Sequence, residues 1–282
     1  MFYNKSSEIF IPDSSDYLTA LSRTTHLSIG AHQDDIEIMS YHGIAECYGV
    51  EDKWFTGCVV TNGAGSPRSG IYANYSDKQM QIVRNKEQKK AAVIGEYSAQ
   101  ILLDYSSLDI KDNSNKNIIN DLKNLIEICK PEIIYTHNPA DKHDTHIAVM
   151  MRVLDAINML DESHKPKKIY GCEVWRDLDW LPDDVKIALD VGKRENLANS
   201  LVGVFDSQIC GGKRYDIAIM GRRKCHATFY KSHSVDSSSA LTFAIDLTPV
   251  IYNQIDIERH TEKILDSFKS EVIKKVEIFR TK

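Results

Sequence analysis

From Thr25 to Leu160 the chain alternates short, nearly continuous apolar runs with longer stretches in which apolar residues return every third or fourth position. The short runs, residues 26–31, 55–61, 100–103 and 132–136, have the length of buried strands. The longer stretches, residues 36–50, 77–95, 116–130 and 145–160, have the spacing of helices that lay one face on a core, and Gly95 stands where the second should stop. Strand and helix in regular alternation predict an α/β fold, a Rossmann-like, doubly wound and mostly parallel sheet with right-handed crossovers. Segments leaving the carboxyl ends of such strands share one edge, and ligands sit there.

After residue 160 the pattern weakens. Residues 167–175, "KKIYGCEVW", read as a fifth strand, 183–201 as a helix, and 240–251, "ALTFAIDLTPVI", as a late strand running into an extended turn at Pro249. Residues 256–278 are densely charged with apolar residues at helical intervals, which predicts an exposed amphipathic helix. Residues 1–25 form a polar lead-in. A chain of 282 residues with 42% hydrophobic content can enclose one large core, and no repeat or low-complexity linker divides it, so a single domain is expected over 1–282. The segment "TNGAGSPRSGIYANYSD", 61–77, is long and rich in Gly and Ser for a compact domain, a feature of functional loops.

The net charge of −5 arises from acidic and basic residues interspersed without long blocks of one sign, which argues against nucleic acid or an anionic membrane as partner. No window approaches the ~20 apolar residues of a membrane span, and the N-terminus lacks the layout of a secretory signal, so a cytoplasmic protein is expected. The cysteines Cys47, Cys58, Cys129, Cys172, Cys210 and Cys225 include no C-x-x-C pair, against a zinc ribbon or redox dithiol. Most are expected to be small buried residues.

Two stretches concentrate charge at strand ends. "AHQDD", 31–35, follows the first strand, and "THNPADKHDTH", 136–146, follows the fourth; opening onto one edge, they can form one pocket. Catalytic zinc takes three protein ligands and keeps a fourth position open. His32 and Asp35 offer two from one turn, and His146 can supply the third. Asp34, adjacent to Asp35, can take a proton from water, and His143 is the natural donor to an oxyanion. A lone loop histidine is ordinarily a surface or capping residue, and an Asp at a helix start an N-cap; that reading is kept for His26, His42, His164, His226, His233 and His260. His137 stays open between a supporting role and simple solvation. Neither G-x-x-x-x-G-K nor G-x-G-x-x-G occurs, which removes the common phosphate-binding loops.

Ala31-His32-Gln33-Asp34-Asp35 resembles the A-H-P-D-D signature of the PIG-L/LmbE-like zinc de-N-acetylases, and His143 to His146 resembles that family's H-P-D-H box. "VRNKEQKKAAVIG" is similar to its R-x-x-E-x-x-x-A-x-x-x-G helix, with Arg84, Glu87, Ala91 and Gly95 in register. Thr61-Asn62-Gly63 resembles the T-x-G substrate loop, and Ser207-Gln208 the late S-Q pair. The resemblance implies an LmbE-like fold and one Zn2+ per chain held by His32, Asp35 and His146. It also implies Asp34 as general base, His143 polarising the acetamide carbonyl, and Arg84, Asn62 and Gly63 on the substrate, Arg84 touching sugar hydroxyls. Two departures stand out. Gln33 replaces the usual proline, which should loosen the turn slightly. Thr145 replaces the aspartate between the histidines, so Asp141 or Asp144 is expected to orient His143 and keep it protonated.

The expected activity is hydrolysis of the N-acetyl group of an N-acetylglucosamine-type sugar or its small soluble conjugate, releasing acetate. The partner is then a small amino-sugar molecule, with no nucleic acid and no membrane; a homo-oligomer stays open. Two alternatives remain: an amidase acting on another amide of a sugar-thiol conjugate, and a non-catalytic sugar-binding protein of the same fold. Trp175, Arg176 and Trp180 are candidates for the aglycone side, although core or surface positions are more usual for such residues.

Overall fold

Strands covered on both faces need no polar alternation, and the sequence supplies two such: His26–Gly30 and Phe55–Thr61 are buried at every position. In the computed structural model, which describes residues 2–280, they belong to one eight-stranded sheet. Its strands are β1 Glu8–Phe10, β2 His26–Gly30, β3 Phe55–Thr61, β4 Ala99–Tyr105, β5 Ile133–His137, β6 Lys168–Cys172, β7 Ile187–Asp190 and β8 Leu241–Asp246. Across the sheet the order is β1-β4-β3-β2-β5-β6-β8-β7. The run from β4 to β6 is parallel, whereas β1 pairs antiparallel with β4, β8 with β6, and β7 with β8. The chain builds outward from β2 through β3 and β4, then returns to add β5 and β6 on the other side, so a crevice opens beyond the carboxyl ends of β2 and β5.

Alternate side chains of β2 separate two apolar layers. Leu27 and Ile29 pack with Leu122, Ile126, Val149 and Val153 of the helices Lys116–Cys129 and Asp144–Asn158. On the opposite face Ile36, Ile44, Ala91 and Leu201, from helices Asp35–Met39, Tyr41–Cys47, Asp77–Ile94 and Glu195–Gly203, pack on Phe55, Val59 and Leu102. Cys47, Cys58, Cys129 and Cys172 are buried, whereas Cys210 and Cys225 are exposed; all six are free thiols. Among the described residues no helix is long and apolar enough to cross a membrane.

The differences from the sequence reading have local causes. The single helix expected over 36–50 breaks at Ser40, which leaves helical dihedrals while its hydroxyl bonds that of Ser28 on β2 at 2.6 Å. The lead-in contributes the edge strand β1 and the helix Tyr17–Ser22, whose Asp16 cap accepts the Thr19 N–H. The helix expected over 183–201 is instead strand β7 followed by Glu195–Gly203; Ile187, Leu189 and Val191 alternate with period two up to Gly192. Pro249 sits in the first turn of a short helix, Thr248–Ile251, rather than in an extended turn. The helix Tyr215–Phe229 has no counterpart in the reading, because buried Arg223 and His226 interrupt its apolar face. The terminal helix, Ile257–Phe279, forms as expected.

Candidate metal centre and active site

From β2 the chain turns through His32, Gln33 and Asp34 into the helix Asp35–Met39. Asp34 lies in the left-handed region at φ 95°, a conformation that costs free energy for a non-glycine residue. Two groups from the helix Asp77–Ile94 hold it. Gln88 Oε1 accepts the Asp34 N–H at 3.2 Å, and Arg84 Nη1 donates to Asp34 Oδ2 at 3.3 Å. Arg84 Nη2 donates to the Gln33 carbonyl, and Gln88 Nε2 reaches Glu37 Oε1 at 2.8 Å, an atom that also accepts Tyr97 OH at 2.7 Å. Burial lifts Glu37 to about 8, so its carboxyl is largely protonated at pH 7.

The turn brings two donor atoms together with one from the next cluster. His32 Nδ1 lies 3.1 Å from His146 Nε2 and 3.3 Å from Asp35 Oδ2, and His146 Nε2 lies 3.3 Å from Asp35 Oδ2. Ligands about 2.0–2.1 Å from a tetrahedral ion stand roughly 3.3–3.4 Å apart. The triangle therefore matches one face of a tetrahedral site, and the side chain of His32, 22% exposed, leaves its outer side open. The charge states suit it. Burial alone would raise Asp35, but His146, His137 and His32 outweigh that and hold the carboxyl well below its ordinary range. Burial pushes His146 down to about 4, which keeps its imidazole neutral at pH 7. His146 Nδ1 faces Asp141 Oδ2 at 3.4 Å, leaving Nε2 as the free donor. One carboxylate and two imidazoles make a donor set for zinc.

His137, left open by the sequence, is fully buried, so simple solvation is excluded. Its ring stacks on His146 with centroids 3.9 Å apart, and its Nε2 accepts the Ala31 N–H at 2.9 Å and lies 3.4 Å from Asp35 Oδ2. Ligand atoms of Asp35, His137 and His146, and likewise of His32, His143 and His146, all come within 4.8 Å of one another. The buried His/Asp group can hold a metal ion.

Asp34 and His143 flank this group in one cavity. Burial raises the Asp34 carboxyl to about 7 despite the Arg84 guanidinium, near the value that suits a base at neutral pH. His143 is the N-cap of the helix Asp144–Asn158, its Nδ1 accepting the Thr145 N–H at 3.3 Å, so the proton of the neutral ring sits on Nε2. Among the described residues no hydrogen bond joins the His143 ring to Asp141 or Asp144. Asp144 is exposed, while Asp141 accepts the backbone N–H of His143 at 2.9 Å and of Trp175 at 3.2 Å and turns to the ring of His146. Burial, with His32 next, pushes the His143 imidazole below its ordinary value.

The remaining motif residues have assigned places. Gln33 does not loosen its turn: fully buried, its Nε2 donates to Thr61 O at 3.2 Å and to Asn85 Oδ1 at 3.1 Å, replacing ring stiffness with tertiary hydrogen bonds. Gly63 lines the cavity at φ +74°, whereas the Asn62 side chain closes its own turn by accepting the Ala64 N–H. Arg84 reaches the cavity wall but directs its guanidinium to Asp34 and Gln33. Glu87 accepts both the N–H and the hydroxyl of Ser207, at 2.7 and 2.6 Å, fixing the turn that brings Gln208 to the wall.

The cavity holds about 640 Å³ and is also lined by Val174, Trp175, Lys213, Tyr215 and Arg222. Of these the sequence suggested only Trp175. Arg176 is exposed, and Trp180 packs on Phe268 with ring centroids 5.5 Å apart. A larger groove of about 690 Å³ runs between β1 and the helix Asp77–Ile94, but it contains none of the buried imidazoles and carboxylates.

Residues 27–157 match the family model described as PIG-L, GlcNAc-PI de-N-acetylase. No curated protein sequence matches the chain. Among solved structures, GalB, the 4-carboxy-2-hydroxymuconate hydratase of Pseudomonas putida, is similar at 16% identity over 79% of this chain and 95% of its own, with a TM-score of 0.61. The N,N'-diacetylchitobiose deacetylase of Pyrococcus horikoshii shares 14% identity over 78% and 83% of the two chains at a TM-score of 0.59. The zinc-inhibited form of the teicoplanin deacetylase Orf2 shares 15% over 79% and 97% at 0.55. At these identities the likeness establishes the fold, which is that of the LmbE-like deacetylases.

Proposed function

We propose that the chain is a zinc-dependent N-deacetylase that releases acetate from an N-acetylglucosamine-type sugar or a small conjugate of it. The observation carrying this reading is the triangle of His32 Nδ1, Asp35 Oδ2 and His146 Nε2, with sides of 3.1 to 3.3 Å, two of whose residues, His32 and Asp35, line one cavity with Asp34 and His143. The match of residues 27–157 to a de-N-acetylase family supports it, as does the likeness to a deacetylase named for N,N'-diacetylchitobiose. The hydratase similarity shows that this fold carries other chemistry, and the family match favours amide hydrolysis over it.

His32, Asp35 and His146 would hold the ion, which when bound supplies Lewis acidity toward the acetamide carbonyl and lowers the pKa of water. Asp34, held in place by Arg84 and Gln88, takes the proton of the attacking water and returns it to the departing amine. Nε2–H of His143 donates to the oxygen that gains charge as the carbonyl carbon becomes tetrahedral. Asp141 keeps His146 in the tautomer with a free Nε2. Gly63, Gln208 and the Arg84 stem form the wall beside the sugar.

Acetate release from a panel of N-acetylated sugars, together with metal content of the purified protein, tests this. About one zinc per chain, lost when His32, Asp35 or His146 is replaced by Ala, with acetate formed from at least one N-acetylglucosamine derivative, is the expected result. Metal retained by all three variants overturns the ligand set. Metal with no acetate from any sugar overturns the activity, leaving the sugar-thiol amidase or the non-catalytic binding protein.

A further inference from the structure

The helix Ile257–Phe279 is held to the body through its first turns. His260 Nε2 lies 2.9 Å from Asp246 O, Ile264 is buried, and the Phe268 ring meets Trp180 edge to face with centroids 5.5 Å apart. From Val272 to Arg280 every residue is exposed. That stretch is nevertheless apolar. Leu265, Val272, Ile273, Val276, Ile278 and Phe279 are 41–85% exposed, and they gather six of the 19 exposed large hydrophobic residues of the described chain into 15 positions. Single exposed apolar residues need no explanation, whereas a contiguous set marks a surface that something covers.

Spacing arranges most of the set as a seam. Thr261, Leu265, Phe268, Val272, Val276 and Phe279 follow one another at intervals of three or four residues, the pattern by which one helix lies along another. At ~100° per residue the seam centres about 70° from the direction of Ile257 and Ile264, so docking of the helix on the body leaves it open. Glu262 and Lys269 stand beside it, one residue past Thr261 and Phe268. Among the described residues neither has an ion-pair partner, whereas Glu271 is already engaged by Lys275.

We propose that this seam is the contact face for a second copy of the chain, the two helices Ile257–Phe279 packing antiparallel about a two-fold axis. The charges select that occupant and that direction. In an antiparallel pair Glu262 of each copy faces Lys269 of the other across the seam, so symmetry supplies both missing partners twice; in a parallel pair the same two positions face Ile257 and Ile264. Opposed helix dipoles side by side favour the same direction. A lipid surface matches less well, because Glu258 and Glu262 border the first half of the seam.

Sedimentation equilibrium of the full chain as purified tests this, and its outcome is independent of the reaction catalysed. The chain of 32.0 kDa is expected to run at about twice its mass at about 10 µM, a dissociation constant in the low micromolar range or tighter. Val272→Glu/Val276→Glu, at two exposed positions, should weaken association at least about 100-fold with an unchanged circular dichroism spectrum. Glu262→Lys and Lys269→Glu should each weaken it about three- to tenfold, and the two combined should return it to within about threefold of the parent. A chain that stays monomeric at about 100 µM, or a dimer that survives Val272→Glu/Val276→Glu, overturns the proposal. Losses that simply add in the combined charge variant overturn the antiparallel pairing. Binding of a monomeric chain to phosphatidylserine vesicles, abolished by Val272→Glu/Val276→Glu, overturns it in favour of a lipid surface.

Discussion

Gly63→Ala isolates the demand that the Thr61-Asn62-Gly63 turn makes on its glycine. Gly63 has a φ of +74°, and a Cβ there would lie 2.6 Å from Gln33 Oε1 and 3.1 Å from Arg84 Cβ. The left-handed backbone alone costs an alanine about 1–2 kcal/mol. Relieving the overlap means moving the Gln33 amide, which donates to Thr61 O and Asn85 Oδ1; loosening those two bonds adds about 1–2 kcal/mol. The expected loss is about 2–4 kcal/mol, and for a chain of this size ~2 °C in midpoint per kcal/mol makes it about 4–8 °C in a thermal melt. Gln33→Ala removes the obstacle and the hydrogen bonds together, so the double variant should lose about 1 kcal/mol less than the two single losses added. A Gly63→Ala protein within about 0.5 kcal/mol of the parent, or strict additivity in the cycle, would refute the crowding argument.

Asp34→Asn keeps the shape of the base but cannot accept a proton, so kcat should fall by about 10²–10⁴-fold with metal still bound; unchanged kcat puts the base elsewhere. Asp141→Asn removes the charge facing His146 and should weaken zinc affinity by about 10–100-fold in a chelator competition, an effect absent if that carboxylate only shapes the loop. Burial and then His42 depress His26 from 6.5 to about 4. The unfolded chain therefore binds a proton that the folded one refuses between those values, and stability complete above pH 6.5 falls as pH drops toward 4, by about 3 kcal/mol in total. Denaturant titrations at pH 7 and 4.5 should show His26→Gln with a flatter acid slope; identical slopes would exclude His26 as the source.

The part of the fold legible in the sequence is the part in which one face or both faces are apolar throughout. Strands β2 to β5 and the helices between them are of this kind, and their alternation suffices for the topology that opens the crevice. Elements that bury polar groups escaped. The helix Tyr215–Phe229 inserts Arg223, which bonds the carbonyls of Glu37 and Ile38 at 2.9 and 3.0 Å, and His226, which stacks on Phe243 with centroids 4.2 Å apart. Both read as solvated positions in a pattern of apolar periodicity. The motif residues of the site were legible because each cluster is local in sequence, and the long-range partners were not. Gln88 left a signal, one helical turn after Arg84 on the same face, but its acceptor role toward the Asp34 N–H depends on a backbone conformation that no spacing encodes.

The departures from the family pattern make sense once the contacts between loops are considered. A proline in place of Gln33 would stiffen the turn through its own ring; Gln33 instead ties it to β3 and to the helix Asp77–Ile94, whose Arg84 and Gln88 already hold Asp34. The backbone N–H of Thr145, which any non-proline residue there would supply, fixes His143 by donating to its Nδ1 as a helix cap, a bond that an imidazolium cannot accept because both of its nitrogens carry protons. The cap therefore selects the neutral ring with the proton on Nε2, and burial acts in the same direction. A neutral donor gives less charge stabilisation to an oxyanion than an imidazolium, which in the proposed mechanism places more of that task on the ion that His32, Asp35 and His146 would hold.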